Sequence, residues 1–230
     1  MNTHTHPLAA AVSRYYELRA PVYDQTAGYL DPAAEMVRVR AKKRLQQLFL
    51  GRHVLEIACG TAYWTAAVAD VVLSIWGVDN SPAMLKQAEL RCRYMPQVFL
   101  RRDDAYSLSS LRPGFNGAFA VWWWSHMPRE LVRPFLINLH TKLAPGALVL
   151  FADQLPYTAE RRQAGADFLE KRRLPQDHEI EVVKNFPTEK EILDALDGLA
   201  RDIRYQAFPA EQGWQVTYHA LAPPIAAQQS

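Results

Sequence analysis

Between residues 53 and 154, five short apolar runs, HVLEIAC, LSIWGVD, QVFLRRD, GAFAVWW and ALVLFADQ, alternate with stretches of helical periodicity. A strand that is apolar at nearly every position has both faces covered, and strands separated by helices pair in parallel, because a parallel partner is reached only by a crossover. The helices carry their own punctuation. TAYWTAAVAD follows the first run, and Ser81 with Pro82 supplies the N-cap and first position of PAMLKQAEL, whose Met84, Leu85, Ala88 and Cys92 form a buried stripe. RELVRPFLINLHTKL is expected to run as a helix to a stop at Pro145 and Gly146. A capping box, Thr188 to Glu191, opens one more helix before two closing strands, DIRYQAF and GWQVTYHAL. The expected fold is α/β: a doubly wound, mostly parallel, seven-stranded sheet with helices on both faces.

Around this frame, residues 33–50 read as an amphipathic helix with Val37, Ala41, Leu45 and Leu48 on one stripe and Arg38, Lys42 and Lys43 off it. Residues 155–186 lose periodicity, apart from one short strand over EVVKNF, and a polar, Arg-rich connection of that length is expected to be a lid or substrate loop. The tail APPIAAQQS is expected to fray. With 230 residues, 49% of them hydrophobic, the chain is expected to fold as one domain over residues 1–230. A net charge of +2 demands neither nucleic acid nor an acidic surface as partner. Cys59 and Cys92 are too few for a disulfide framework or a zinc site, so no metal is expected and Cys59 reads as a small buried filler. No apolar run reaches the roughly 18 residues of a spanning helix, and MNTHTHPLAA lacks the marks of a signal peptide. A cytoplasmic location without a membrane partner is the expectation.

Ligands of open parallel sheets bind at the carboxyl ends of the strands, and the loop there must let a ligand come close. Here that loop is ACGTA, and Asp79 ends the second strand 19 residues after Gly60. This matches the roughly 20-residue interval to a carboxylate that accepts from ribose hydroxyls, and a carboxylate with nothing to donate suits a diol. The missing G-x-G-x-x-G makes a nicotinamide or flavin dinucleotide the weaker reading.

Taken together, VLEIACGTAYWT, IWGVDNSPAML, RRDDAYSL, FNGAFAVWWWSHMP and LAPGALVLFADQ resemble the successive motifs of the class I S-adenosylmethionine-dependent methyltransferases, and YYELRAPVYD is similar to the Tyr-bearing cap of their small-molecule members. The likeness runs from about residue 14 to about 153. It implies a Rossmann-like sheet with an N-terminal helical cap over residues 1–32 and S-adenosyl-L-methionine as cofactor. By this resemblance Glu56 and the backbone at Ala58 and Gly60 hold the methionine part, Asp79 the ribose hydroxyls, Met84 the adenine face, and Asp104 with Ala105 the adenine edge. Read on their own, Glu56 could be a strand-end surface charge and Asp103 or Asp104 a turn former. Where the family most often has Gly-x-Gly-x-Gly, this chain has Ala58, Gly60 and Ala62, and the Ala62 methyl is expected to crowd the cofactor.

Methyl transfer is an in-line displacement at a sulfonium, so residues that position the acceptor count for more than acids and bases. Half of the six tryptophans, Trp122, Trp123 and Trp124, leave the fourth strand at its carboxyl end. A period of two sends at least one into the core, with Trp122 or Trp124 facing the ligand. With Trp64, Tyr15, Tyr16 and Tyr23 they would box a flat acceptor. His126 is the best-placed proton acceptor, with a structural role as its alternative, ahead of Asp153 and His178. The stretch VWWW stands where base-modifying relatives carry N-P-P-Y, which disfavours nucleic-acid substrates. The expected function is methylation at O or N of a small planar aromatic or heteroaromatic metabolite, in natural-product biosynthesis, with a toxoflavin-type aza-aromatic as one example. The alternatives are an RNA or protein methyltransferase using the basic helix with Arg161, Arg162, Lys171, Arg172 and Arg173, and a cofactor-binding protein without transfer activity.

Overall fold

The structure is a computed structural model and describes residues 6–156, 166–174 and 179–222. The five apolar runs become β1 (His53–Ile57), β2 (Ser74–Asp79), β3 (Val98–Arg102), β4 (Phe115–Val121) and β5 (Leu143–Gln154). With β8 (Ala200–Phe208) and β9 (Gly213–Ala220) they form a seven-stranded sheet ordered β3-β2-β1-β4-β5-β9-β8. The first five pair in parallel, and β9 lies antiparallel between β5 and β8. The strand order reverses between β1 and β4, which opens the crevice for ligands at their carboxyl ends.

Alternation along each strand builds two cores. Val54, Ile75, Phe119, Leu148 and Leu150 meet Leu45 and Phe49 of α3 (Glu35–Phe49) and Trp64 and Val68 of α4 (Tyr63–Val68) on one face. Leu55, Ile57, Val149, Phe151 and Val216 meet Phe135, Leu136 and Leu139 of α6 (Arg129–His140) and Ile192 and Leu196 of α7 (Glu189–Leu196) on the other. Each fully buried large side chain contributes roughly 1.5–3 kcal/mol of transfer free energy. The helix α5 (Pro82–Cys92) starts as its sequence specifies, with the Ser81 hydroxyl accepting from the Met84 amide, and the Thr188–Glu191 capping box is formed in both directions.

Three expectations change. Pro145 and Gly146 do not stop α6, which ends at His140; they sit inside β5 where the register with β4 slips between Phe115 and Gly117. A proline cannot donate to the ladder, so it occupies the irregularity. The strand predicted through the tryptophan run ends at Val121, and Trp122 turns the chain with φ of 60°. The irregular stretch contains not one strand but a hairpin, β6 (Leu169–Arg173) against β7 (Glu179–Val183). Arg161, Arg162, His178 and the tail from residue 223 lie outside the described residues. Among the described residues no helix is long and apolar enough to cross a membrane, and no group of three or more His, Cys, Asp or Glu is arranged to hold a metal ion.

Candidate active site

At the carboxyl ends of β1 and β2, the turn Ala58–Ala62 takes positive φ at alternate residues, 52° at Ala58, 55° at Gly60 and 59° at Ala62. For the two alanines this left-handed backbone costs about 1–2 kcal/mol each. It aims the Gly60 amide at Asp79, whose Oδ2 accepts from Gly60 at 2.9 Å while Oδ1 accepts from the Ser81 amide at 2.9 Å. The carboxylate is thereby fixed facing the crevice. Burial raises its pKa, against the backbone donors that favour the charged form. The crevice wall contains Ala58, Gly60, Asp79, Met84, Asp104 and Ala105, and also Asn80, Tyr106 and Trp123, which pattern reading did not single out.

Two residues sit elsewhere than expected. Glu56 is buried beneath the crevice, where its carboxyl group accepts from the Thr65 hydroxyl of α4, and burial pushes its pKa up to about 8. The Ala62 methyl is also buried, against Ala88 and Cys92 of α5, and so turns away from the crevice. The close approach expected there is not made. Both acids form turns: Asp103 accepts from the amide (2.9 Å) and hydroxyl (2.7 Å) of Ser110, and Asp104 Oδ1 accepts from the Tyr106 amide at 2.9 Å.

The helix α1 (Pro7–Arg19) covers the crevice with Ala9, Val12, Ser13 and Tyr16. It is latched to the loop after β2: the Asn80 amide donates to Ser13 Oγ at 2.6 Å, and Glu17 accepts from the Ser81 hydroxyl at 2.5 Å and the Ala83 amide at 3.2 Å. With this latch closed the cavity is about 80 Å³. Ligand pockets run to about 300 Å³ or more, so α1 must give way for a nucleoside-sized molecule.

Beyond Tyr16 and Trp122 lies a second cavity of about 350 Å³, walled by Arg19, Tyr23, His126, Gln154, Arg172 and Lys184 among others. His126 is buried on a short 3-10 turn, Trp124–His126, with Nδ1 2.8 Å from the Val183 carbonyl and Nε2 2.7 Å from the Tyr16 hydroxyl. A carbonyl only accepts, so Nδ1 carries the proton and Nε2 accepts from Tyr16. Burial first, then Lys184, Arg172 and Arg19, hold the His126 pKa well below the usual range. The imidazole is neutral, and its free lone pair is already engaged.

The tryptophans divide by the turn at Trp122 rather than by strand alternation. Trp122 stacks on Tyr29 (5.4 Å between centroids) toward the α3–α4 face, while Trp123 packs on Phe135 (4.8 Å) toward α6. Trp124 is a correction: it is 4% exposed in the core against Phe151 and Trp214 and lines neither the crevice nor the second cavity. Trp64 is likewise core, against Tyr29, and Tyr15 packs on Leu174 and Val182 of the hairpin region. Of the expected aromatic box, Tyr16, Tyr23, Trp122 and Trp123 reach the two cavities, and Tyr15, Trp64 and Trp124 do not. The buried Asp153 accepts from the amide (2.9 Å) and hydroxyl (3.0 Å) of Ser125 and stands 3.6 Å from the Lys184 ammonium.

The fold and this crevice define a class I methyltransferase architecture. Residues 54–146 match the methyltransferase domain family. The DhpI structure in complex with SAH superposes with a TM-score of 0.77 at 24% identity, over 94% of this chain and 98% of that one; its complex with SAM and HEP gives 0.76. A demethylmenaquinone methyltransferase of Lysinibacillus sphaericus is 30% identical over 44% of this chain, and the O-methyltransferase cnsE of Penicillium expansum 28% identical over 65%. These alignments span 43% and 60% of the two relatives' own lengths. Residues 54–146 thus match a methyltransferase domain, and the fold around them is that of S-adenosylmethionine-dependent methyltransferase structures.

Proposed function

We propose that this protein transfers a methyl group from S-adenosylmethionine to an oxygen or nitrogen of a small molecule lodged between Tyr16, His126 and Trp122. The observation that carries the reading is the Asp79 carboxylate, aimed into the switch-point crevice by two backbone amides, with a second cavity adjoining it across Tyr16 and Trp122. The donor set suits the cofactor: Asp79 accepts from ribose hydroxyls, Met84 offers an apolar face to the adenine, and Asp104 with Ala105 meets its edge. When bound, the cofactor supplies a sulfonium-activated methyl group. Glu56, buried and bonded to Thr65 of α4, does not line the crevice and supports the turn from beneath.

Tyr16, Tyr23, Trp122 and His126 line both cavities; because the His126 Nε2 lone pair is taken by the Tyr16 hydroxyl, that hydroxyl is the group assigned to the acceptor and His126 is a positioning residue that orients it. The cap α1 excludes water from the same place. A planar aromatic acceptor, with the toxoflavin-type example and a role in natural-product biosynthesis, is the second reading. It is favoured by Trp122 and Trp123 on the wall and by a relative named for a quinone. The RNA or protein reading has less support, because Arg38 is spent on the Gly28 and Asp31 carbonyls and Lys42 lies 4.5 Å from the Tyr63 ring.

Methyl-labelled cofactor supplied with fractionated metabolites, RNA and protein tests the proposal. Label is expected in the low-molecular-weight fraction. Label in polymer would favour the RNA or protein alternative, and tight binding without transfer would favour a non-enzymatic role. His126→Asn is expected to keep cofactor affinity and melting temperature while lowering turnover. A fall in melting temperature at unchanged turnover per folded molecule would return His126 to a structural role.

A further inference from the structure

The strand β6 turns the wrong residues inward for a piece of core. Along Leu169–Arg173 the exposed positions are Leu169, Lys171 and Arg173, and the inward ones are Glu170 and Arg172. A strand that presents its charged face to the protein and its leucine to solvent is shaped around a polar cavity, and both inward residues line the one beside His126.

Three cations converge there from separate segments: Arg19 at the end of α1, Arg172 on β6, and Lys184 just after β7. Their pairing is incomplete. Lys184 is 3% exposed, donates to Ser125 Oγ at 2.7 Å and is neutralised by Asp153 at 3.6 Å. Arg172 is paired through Nη2 with Glu170 at 2.5 Å, yet its buried Nε has no hydrogen-bond partner among the described residues. Arg19 donates Nε to Thr26 Oγ1 at 2.9 Å and lies 5.1 Å from the Tyr23 ring centroid, with no carboxylate in ion-pair range among the described residues. Among the described residues the wall therefore carries one uncompensated positive charge and an idle guanidinium donor. Neutral His126 and the Tyr16 and Tyr23 hydroxyls complete it without adding negative charge.

A half-buried guanidinium without a counter-ion is costly unless a ligand supplies the charge, and guanidinium forks match oxyanions. We propose that the acceptor carries an oxyanion, a phosphonate, phosphate monoester or carboxylate, that docks against Arg19 and Arg172 with Lys184 behind them. This rests on the methyltransferase reading and narrows its substrate class. It also accounts for the His126 lone pair being committed to Tyr16, since an already ionised oxygen needs no base.

The test is calorimetric titration of methylphosphonate, acetate and neutral acetamide into the full chain, with and without S-adenosylhomocysteine. Saturable binding of methylphosphonate or acetate, but not acetamide, is expected. Loss of one charge-assisted contact in Arg19→Gln or Arg172→Gln should weaken the anion by about tenfold while S-adenosylhomocysteine affinity stays within about twofold. Preference for methylphosphonate over acetate would assign the dianionic class, and the reverse a carboxylate. Acetamide binding equal to the anions, absence of saturable anion binding, or unchanged anion affinity in both variants would each overturn the proposal. If a Gln variant fails to fold, Arg172→Lys must retain part of the anion affinity, and complete loss there in a folded protein would also count against it. Wild type that ignores S-adenosylhomocysteine would sink the methyltransferase reading, while the titration without it still decides the anion site.

Discussion

In the crevice proposed for the cofactor, Ala58, Gly60, Asp79, Asn80, Met84, Asp104 and Ala105 all lie within a few residues of the carboxyl ends of β1, β2 and β3. In the cavity proposed for the acceptor, Arg19, His126, Arg172 and Lys184 come from α1, the turn after β4, strand β6 and the segment after β7. The first wall is made by strand-end loops whose shape is set locally, by left-handed turns and amide-to-carboxylate bonds. The second exists only once the hairpin docks. Asn185 holds that docking, its amide donating to the Ser125 carbonyl at 2.7 Å and its side chain to the Met127 carbonyl at 2.9 Å. One wall can therefore be perturbed without the other, and substitutions should sort by side.

The largest effect is expected beneath the acceptor side. Trp124→Ala empties a core position between Phe151 and Trp214 and should destabilise by about 3–5 kcal/mol. Trp122→Ala, on the part-buried wall, should cost less in stability and more in turnover. Urea melts of both variants check this, and equal losses would erase the distinction between core and wall.

Next comes Glu56, beneath the cofactor side. Its folded pKa, raised by burial to about 8, exceeds its unfolded value, so the folded state holds the proton more tightly. Its contribution is full below the unfolded pKa near 4.5 and is lost as pH rises through 8. Wild-type stability should fall across that window, by as much as about 4 kcal/mol, and Glu56→Gln should flatten the profile. Melts at several pH values measure it; parallel profiles would mean that Glu56 is already ionised in the folded protein.

The smallest effect should come from Ala62→Gly. Relief of left-handed backbone is offset by the lost methyl contact with Ala88 and Cys92 and by the freer unfolded chain, leaving a net change within about 1 kcal/mol. S-adenosylhomocysteine affinity should not move, because the methyl faces α5 and not the crevice. A marked gain in affinity would restore the crowding that the sequence suggested.

The same asymmetry explains what could be read in advance. Apolar runs alternating with helices define the sheet because that pattern has few packing solutions, and the 19-residue interval from Gly60 to Asp79 reports a local βαβ unit. Trp124 was misplaced because alternation holds only while the chain stays extended, and the left-handed turn at Trp122 ends it. Arg172 read as one of a basic cluster, since LEKRR shows no apolar alternation from which to assign its faces. Lys184 carried no signal at all: its burial follows from Asp153 and Ser125, some 30 and 59 residues away in the chain.

The account stands most directly on Asp79. Calorimetric titration of S-adenosylhomocysteine into wild type and Asp79→Ala should show a loss of roughly 1.5–3 kcal/mol, or about ten- to a hundredfold, with the variant still folded, because ribose hydroxyls lose a charged acceptor. Equal affinity in the two proteins would mean that the nucleoside does not lie at the β2 end, and the two-walled site described above would fall with it.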